Sequence, residues 1–67
     1  GRRRSVRDRR DSLAAHYLQS IAGLPRHGYD STRHALRHTV GVLLSDDPAG
    51  DVLLHTYEAR AAEKEAS

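Results

Sequence analysis

The sequence predicts a small all-α protein, a three-helix bundle with an arginine-rich N-terminal head. Three segments carry apolar residues at intervals of three and four, which is the repeat of one helix face. Two short linkers with Gly or Pro separate these segments, as expected for helices that run back along one another. No segment alternates apolar and polar residues as a strand would. We expect one helical domain over residues 1–67, with a flexible basic arm at 1–5 and fraying at 64–67.

The first predicted helix covers residues 6–22. Its apolar stripe consists of Val6, Leu13, Tyr17, Leu18 and Ile21. Ser5 can cap its start, and residues 11–12, an Asp and a Ser, offer a later start. Residues 23–29 end the helix, because Gly23 suits the left-handed position after a helix and the following proline cannot continue the hydrogen-bond ladder.

The second predicted helix covers residues 31–44 and is capped by Asp30 or Ser31. Its apolar stripe consists of Leu36, Val40, Leu43 and Leu44. At 100° per residue, His34 and His38 fall on the opposite side of this helix. These two imidazoles are therefore expected to face solvent or a partner.

The third predicted helix covers residues 48–63. Asp47 suits its N-cap, and Pro48 suits its first helical position because proline has no N–H to leave unbonded there. Its stripe consists of Val52, Leu53, Tyr57 and Ala61, and Leu54 widens it. This helix completes the bundle.

The predicted core is thin for a domain of this length. The sequence contains no Phe, Trp, Met or Cys. The residues predicted to be buried are Leu18, Ile21, Leu36, Val40, Leu43, Leu53 and Tyr57. Domains this small usually need a disulfide, a metal, oligomerisation or very regular packing. Since Cys is absent, additional buried area from a partner or a second copy is the favoured route.

Charge is distributed unevenly along the chain. Residues 1–11 hold six arginines and two aspartates, a net charge of +4, whereas residues 45–67 hold two basic and six acidic residues, a net charge of −4. The arginine-rich head, residues 1–11, is expected to face solvent, an anionic ligand or the acidic end of this or another copy. Pairing of its arginines with carboxylates of the same chain is an equal alternative.

Two classes of function fit this distribution. The first is a non-catalytic helical interaction module, for oligomerisation or as an adaptor, which binds a protein partner or itself through apolar helix faces. The alternative is a nucleic-acid-binding accessory or regulatory protein that uses the head and the second helix, because arginine pairs bidentately with phosphate. The residues predicted to contact a partner or nucleic acid are Arg2, Arg3, Arg4, Arg7, Arg10, Arg33, Arg37 and His38.

Other classes of function find little support in the sequence. His34 and His38 have the spacing of two zinc ligands, but a structural site needs four, and Ala35 stands where an HExxH motif has its Glu. No serine lies in a Gly-flanked nucleophile elbow. We therefore expect no catalytic residue, no metal and no cofactor. No apolar segment is long enough to span a membrane, and a cytoplasmic location is the default expectation.

Overall fold

The protein is a bundle of three α-helices in the computed structural model, which describes residues 4–66. Helix α1 spans Val6–Ala22, α2 spans Asp30–Leu44 and α3 spans Ala49–Ala66. The predicted all-α fold is confirmed, and each predicted start lies within one residue of the observed one. Helix α3 continues three residues beyond its predicted end. Within the described range, none of the helices is both long enough and apolar enough to cross a membrane.

The two ends of α1 show how its local sequence sets its length. The Ser5 hydroxyl accepts a hydrogen bond from the Asp8 N–H at 3.1 Å, so the predicted cap is confirmed and the earlier of the two possible starts is used. At the other end, Gly23 has a φ of −83°, so the predicted left-handed conformation at this glycine is wrong. Its N–H instead reaches the Gln19 carbonyl at 3.1 Å, and the positive φ falls at Gly28, at 88°.

The starts of α2 and α3 differ in how they are capped. Tyr29 occupies the N-cap position of α2 and makes no side-chain cap bond, so the predicted cap at Asp30 or Ser31 is wrong. Asp30 lies instead in the first turn, where its negative charge favours the positive end of the helix dipole. At α3, Asp47 Oδ1 accepts a hydrogen bond from the Ala49 N–H at 2.9 Å, as a capping side chain should.

The core lies where the three helices face one another. Its buried apolar residues, among those described, are Leu13, Ala14, Val40, Leu43 and Leu54. Tyr17, Ile21 and Leu53 pack against this cluster and remain partly exposed. Burial of Val40 and Leu43 confirms the predicted centre of the α2 stripe, whereas Ile21, Leu36 and Leu53 are only half-buried.

Several residues assigned to apolar stripes are exposed, and Leu18, Tyr57 and Val52 are examples. Leu18 is 50% exposed and Tyr57 is 39% exposed, so their predicted burial is wrong. Val52 is 65% exposed because α3 turns Gly50 and Leu54 toward the bundle. Val52 is two positions from Gly50 and two from Leu54. At 100° per residue, it therefore lies on the opposite side of the helix. The inward face of α3 is therefore centred on Leu54, which the sequence pattern placed at the edge of the stripe.

Truncation of Leu54 tests this orientation of α3. We expect Leu54→Ala to lower the free energy of unfolding by about 2–5 kcal/mol, because it leaves a cavity in the centre of the core. Val52→Ala, at the outer face of the same helix, should change it by less than about 1 kcal/mol. Urea denaturation followed by circular dichroism measures both values. Equal losses for the two variants would contradict the assigned inward face.

Candidate functional site

Arg10 is a buried charged residue within the apolar face of α1. It precedes Leu13 by three positions and Tyr17 by seven, so it lies on the same helix face as these core residues. Only 5% of Arg10 is exposed, so the expectation that no arginine of the head is buried is wrong for this residue, while its pairing with Asp51 follows the alternative of contact with the acidic end of the same chain. A buried guanidinium is costly unless its N–H donors find acceptors.

The Arg10 guanidinium finds these acceptors at the corner between α2 and α3. It donates to the Leu43 carbonyl from Nε at 3.0 Å, to Asp51 Oδ1 from Nη1 at 3.0 Å, and from Nη2 to the carbonyls of Val42 at 2.9 Å, Ser45 at 2.7 Å and Asp47 at 3.2 Å. We call this set of contacts the Arg10 junction. It joins α1 to the end of α2, to the linker and to the first turn of α3.

The Arg10 junction completes the C-terminus of α2. The last four carbonyls of a helix have no partner within the helix, and they form the negative end of its dipole. The Ser45 N–H reaches the Gly41 carbonyl at 3.1 Å, and the Ser45 hydroxyl donates to the Val42 carbonyl at 2.6 Å. Arg10 supplies further donors at Val42 and Leu43 together with a positive charge. A residue from another helix thus acts as the cap that the local sequence lacks.

Arg7 supports the same corner from the preceding turn of α1. Its guanidinium donates to the Leu43 carbonyl at 3.3 Å and to the Ser45 carbonyl at 2.9 Å, and it pairs with Asp46 at 3.2 Å. Its side chain remains 42% exposed, so these bonds are partly screened by water. Two arginines one turn apart therefore hold the start of α1 against the end of α2.

Arg9 links α1 to the middle of α3. Its Nη1 lies 3.2 Å from both carboxylate oxygens of Glu58, and both side chains are about one third exposed. Its Nε is buried without a hydrogen-bond partner, which reduces the net gain from this contact. Arg7, Arg9 and Arg10 thus pair with carboxylates of the same chain, which was one of the alternatives that the sequence allowed.

Gly50 allows α3 to approach the Arg10 guanidinium. This glycine is buried, and a Cβ atom at its position would overlap Nη2 and Cζ of Arg10. A larger residue would have to displace the Arg10 guanidinium or move the first turn of α3 away from α1. Sequence reasoning did not single out Gly50, although a glycine within a helix reduces helix stability and often marks a close approach.

The other predicted contact residues of the head divide into two groups. Arg2 and Arg3 lie outside the described residues. Arg4 is exposed and donates a hydrogen bond to the Ser12 hydroxyl, with a longer one of 3.5 Å to the Asp8 carbonyl. The described part of the head is therefore folded back on its own helix or on its neighbours.

The predicted contact residues of α2 have different surroundings. Arg33 pairs with Asp30 at 3.2 Å and donates to the Pro25 carbonyl at 2.7 Å, which holds the α1–α2 linker beside the first turn of α2. Arg37 and His38 are exposed and form no hydrogen bond or ion pair with any described residue. Their side chains are thus available to a partner, and the structure does not bring them together with Arg7 or Arg10.

The histidines do not converge on a common site. Within the part of the chain that the structure describes, no three His, Asp or Glu side chains come close enough to hold a metal ion. His16 instead contacts two aromatic rings, with centroid distances of 5.7 Å to Tyr17 and 6.1 Å to Tyr57. The two tyrosine rings meet edge-on at 6.4 Å, a favourable aromatic geometry that links α1 and α3.

Comparison with models of protein families, with curated proteins and with solved structures gives no match for this chain. Its internal contacts and its exposed side chains are therefore the guide to its function.

Replacement of Arg10 tests the junction. We expect Arg10→Ala to lower the free energy of unfolding by about 2–4 kcal/mol, because several carbonyls and Asp51 lose a charged donor. Arg37→Ala, at an exposed position of α2, is the matched control and should change it by about 0.5 kcal/mol or less. The urea midpoints measure both effects. A similar stability for the two variants would show that Arg10 contributes no more than a surface arginine.

A double-mutant cycle tests the contact between Gly50 and Arg10. Gly50→Ala should destabilise the wild-type protein, because the new methyl group displaces the guanidinium. In the Arg10→Ala background the same change should stabilise it, by up to about 1 kcal/mol, because alanine favours a helix over glycine. Thermal unfolding of the four proteins gives the coupling free energy. A loss of equal size in both backgrounds would contradict a direct contact.

Proposed function

We propose that the protein is a non-catalytic helical interaction module that binds a protein partner, in the first instance a second copy of itself, through apolar side chains outside the bundle. Three such side chains support the proposal. Val52 is 65% exposed, Leu44 is 51% exposed and Val6 is 36% exposed. Single exposed apolar residues are ordinary on protein surfaces, but their position in this fold is not random.

These three apolar residues lie at the same end of the bundle. Val6 is the first residue of α1, Leu44 is the last residue of α2, and Val52 lies in the first turns of α3. The Arg10 junction joins these three helix ends, so all three residues are located around it. A partner that covered this end would bury apolar surface and would also shield the junction from water.

The size of the core favours such an association. The described cluster contains only five buried apolar residues, and two of these are Ala14 and Val40, which are small. Full burial of a Val or Leu side chain contributes about 1.5–3 kcal/mol. Burial of Leu44 and Val52 by a partner would therefore contribute appreciably to the stability of a domain of this length.

The alternative function is that of a nucleic-acid-binding accessory protein that uses the head together with α2. The internal contacts of the head reduce the number of its arginines that could bind a phosphate. Arg10 is only 5% exposed and its guanidinium is directed at carbonyls of the α2–α3 corner, and the Arg7 donors are directed at α2 and Asp46. Among the described residues, what remains for this alternative is exposed Arg4 and the exposed side of α2.

Substitution of the exposed apolar residues tests the proposed association. The average mass of the wild-type protein in solution should rise from monomer toward dimer with concentration, and higher salt should leave this rise unchanged or strengthen it. The double variant Leu44→Gln, Val52→Gln should remain monomeric, because each change removes apolar surface at the proposed interface. Glutamine retains good helix propensity. Light scattering over a concentration series measures the mass.

Leu18→Gln is the matched control, because Leu18 is half exposed like Leu44 but lies toward the opposite end of α1. This control should associate as the wild-type protein does. A wild-type protein that stays monomeric at high concentration, or an equal loss of association in the control, would contradict the proposed surface.

A further inference from the structure

We propose that the outer face of α2 binds the phosphate backbone of a nucleic acid. This face is formed by His34, Arg37, His38 and Gly41, and Arg26, which is also exposed, lies in the linker that precedes α2. The site adjoins Leu44 at the apolar end of the bundle but shares no residue with it, and the inference does not depend on the proposed self-association.

The charge of this region is almost entirely positive. Residues 23–45 contain three arginines and three histidines but only one carboxylate, Asp30. That carboxylate pairs with Arg33 at 3.2 Å and leaves Arg26 and Arg37 without an ion pair among the described residues. Two uncompensated guanidinium groups on one side of a small domain attract a polyanion and can bind its phosphates bidentately.

The helical geometry places these groups in a compact array. His34, Arg37, His38 and Gly41 recur at intervals of three, four and seven, so they share one face, over a length of about 10 Å along the axis. Arg33, which donates to the Pro25 carbonyl, holds the linker that carries Arg26 next to the first turn. Imidazole and guanidinium N–H groups are both suitable donors to phosphate oxygens.

Gly41 independently indicates that a ligand can come close to the α2 backbone on this face. Glycine weakens a helix relative to alanine, and no atom of the described chain lies within 4 Å of the position that its Cβ would occupy. Packing within the bundle therefore does not require a glycine here, in contrast to Gly50. The absent side chain at the C-terminal end of this exposed basic face lets the backbone of a ligand approach the backbone of α2.

The composition of the face favours nucleic acid over a protein partner. From His34 to Gly41 it presents two histidines, an arginine and a glycine but no large apolar side chain. The core of a protein interface is usually apolar or aromatic. Contacts to phosphate are polar and come mainly from arginine, lysine and other N–H donors, so they need no such core.

Binding of a short fluorescent DNA duplex, measured by anisotropy, tests the proposal. At about 50 mM salt, Arg37→Gln should weaken binding about fivefold to tenfold, because one phosphate contact is lost. It should also reduce the slope of log affinity against log salt by about one between 50 and 200 mM. Arg60→Gln, which changes an exposed arginine of α3 instead of one on the α2 face, is the matched control and should change affinity less than about twofold.

A substitution that leaves the net charge unchanged tests whether the nucleic acid must come close to the α2 backbone or is only attracted by the charge of the protein. Gly41→Leu retains every arginine and histidine, and we expect it to fold at least as stably as the wild-type protein because leucine favours a helix over glycine. Its side chain would hold a phosphate backbone away from the helix, so affinity for the duplex should fall about fivefold. Circular dichroism of each variant confirms that the helices are intact.

Four results would overturn the proposal. One is a wild-type protein that does not bind the duplex at about 50 mM salt. A second is an equal loss from Arg60→Gln and Arg37→Gln. A third is binding that disappears in the variant Arg2→Ser, Arg3→Ser but survives Arg37→Gln, which would assign the phosphates to the head. The last is tighter binding of polyglutamate than of the duplex, which would indicate an acidic protein partner.

Discussion

A single buried guanidinium, that of Arg10, joins the three helices of this protein. Its donors satisfy carbonyls at the end of α2, while its charge meets the negative end of the α2 dipole and the Asp51 carboxylate. Helix α3 can reach this group only because Gly50 has no side chain. The orientation of α3, and hence the burial of Leu54 and the exposure of Val52, depends on this close approach.

The arrangement suits a domain with few large apolar residues. The apolar core contains only five buried side chains, so hydrogen bonds from Arg10 and Arg7 also hold the helices in place. Such bonds are directional, because each carbonyl accepts from a limited range of angles. They therefore specify how the helices meet, whereas apolar contact alone would tolerate several arrangements.

The internal use of the arginines changes where a partner can bind. Three arginines of the head pair with carboxylates of the acidic end of the same chain. On the outer face of α2, Arg37 is exposed and has no ion pair among the described residues. The exposed apolar residues lie around the Arg10 junction, away from the middle of that face. One small bundle thus presents two chemically different surfaces that adjoin at the end of α2 and share no residue.

Local sequence carried the information for the three helices. The apolar repeats, the Ser5 cap and the Asp47–Pro48 pair act over a few residues, and their physical effects do not need the rest of the chain. The exposure of His34 and His38 followed in the same way from their angle to the α2 stripe.

The role of Arg10 could not be read from such patterns, although its phase matched Leu13 and Tyr17. Its acceptors lie 32 to 41 residues away along the chain, and helical phase alone does not show that Arg10 finds them while Arg9 stays partly exposed. Local sequence also could not show whether Val52 or Leu54 is the inward residue of α3. Both are apolar, and the rotation of the helix was set by the place where its backbone meets the Arg10 guanidinium, a contact that exists only once the three helices are assembled.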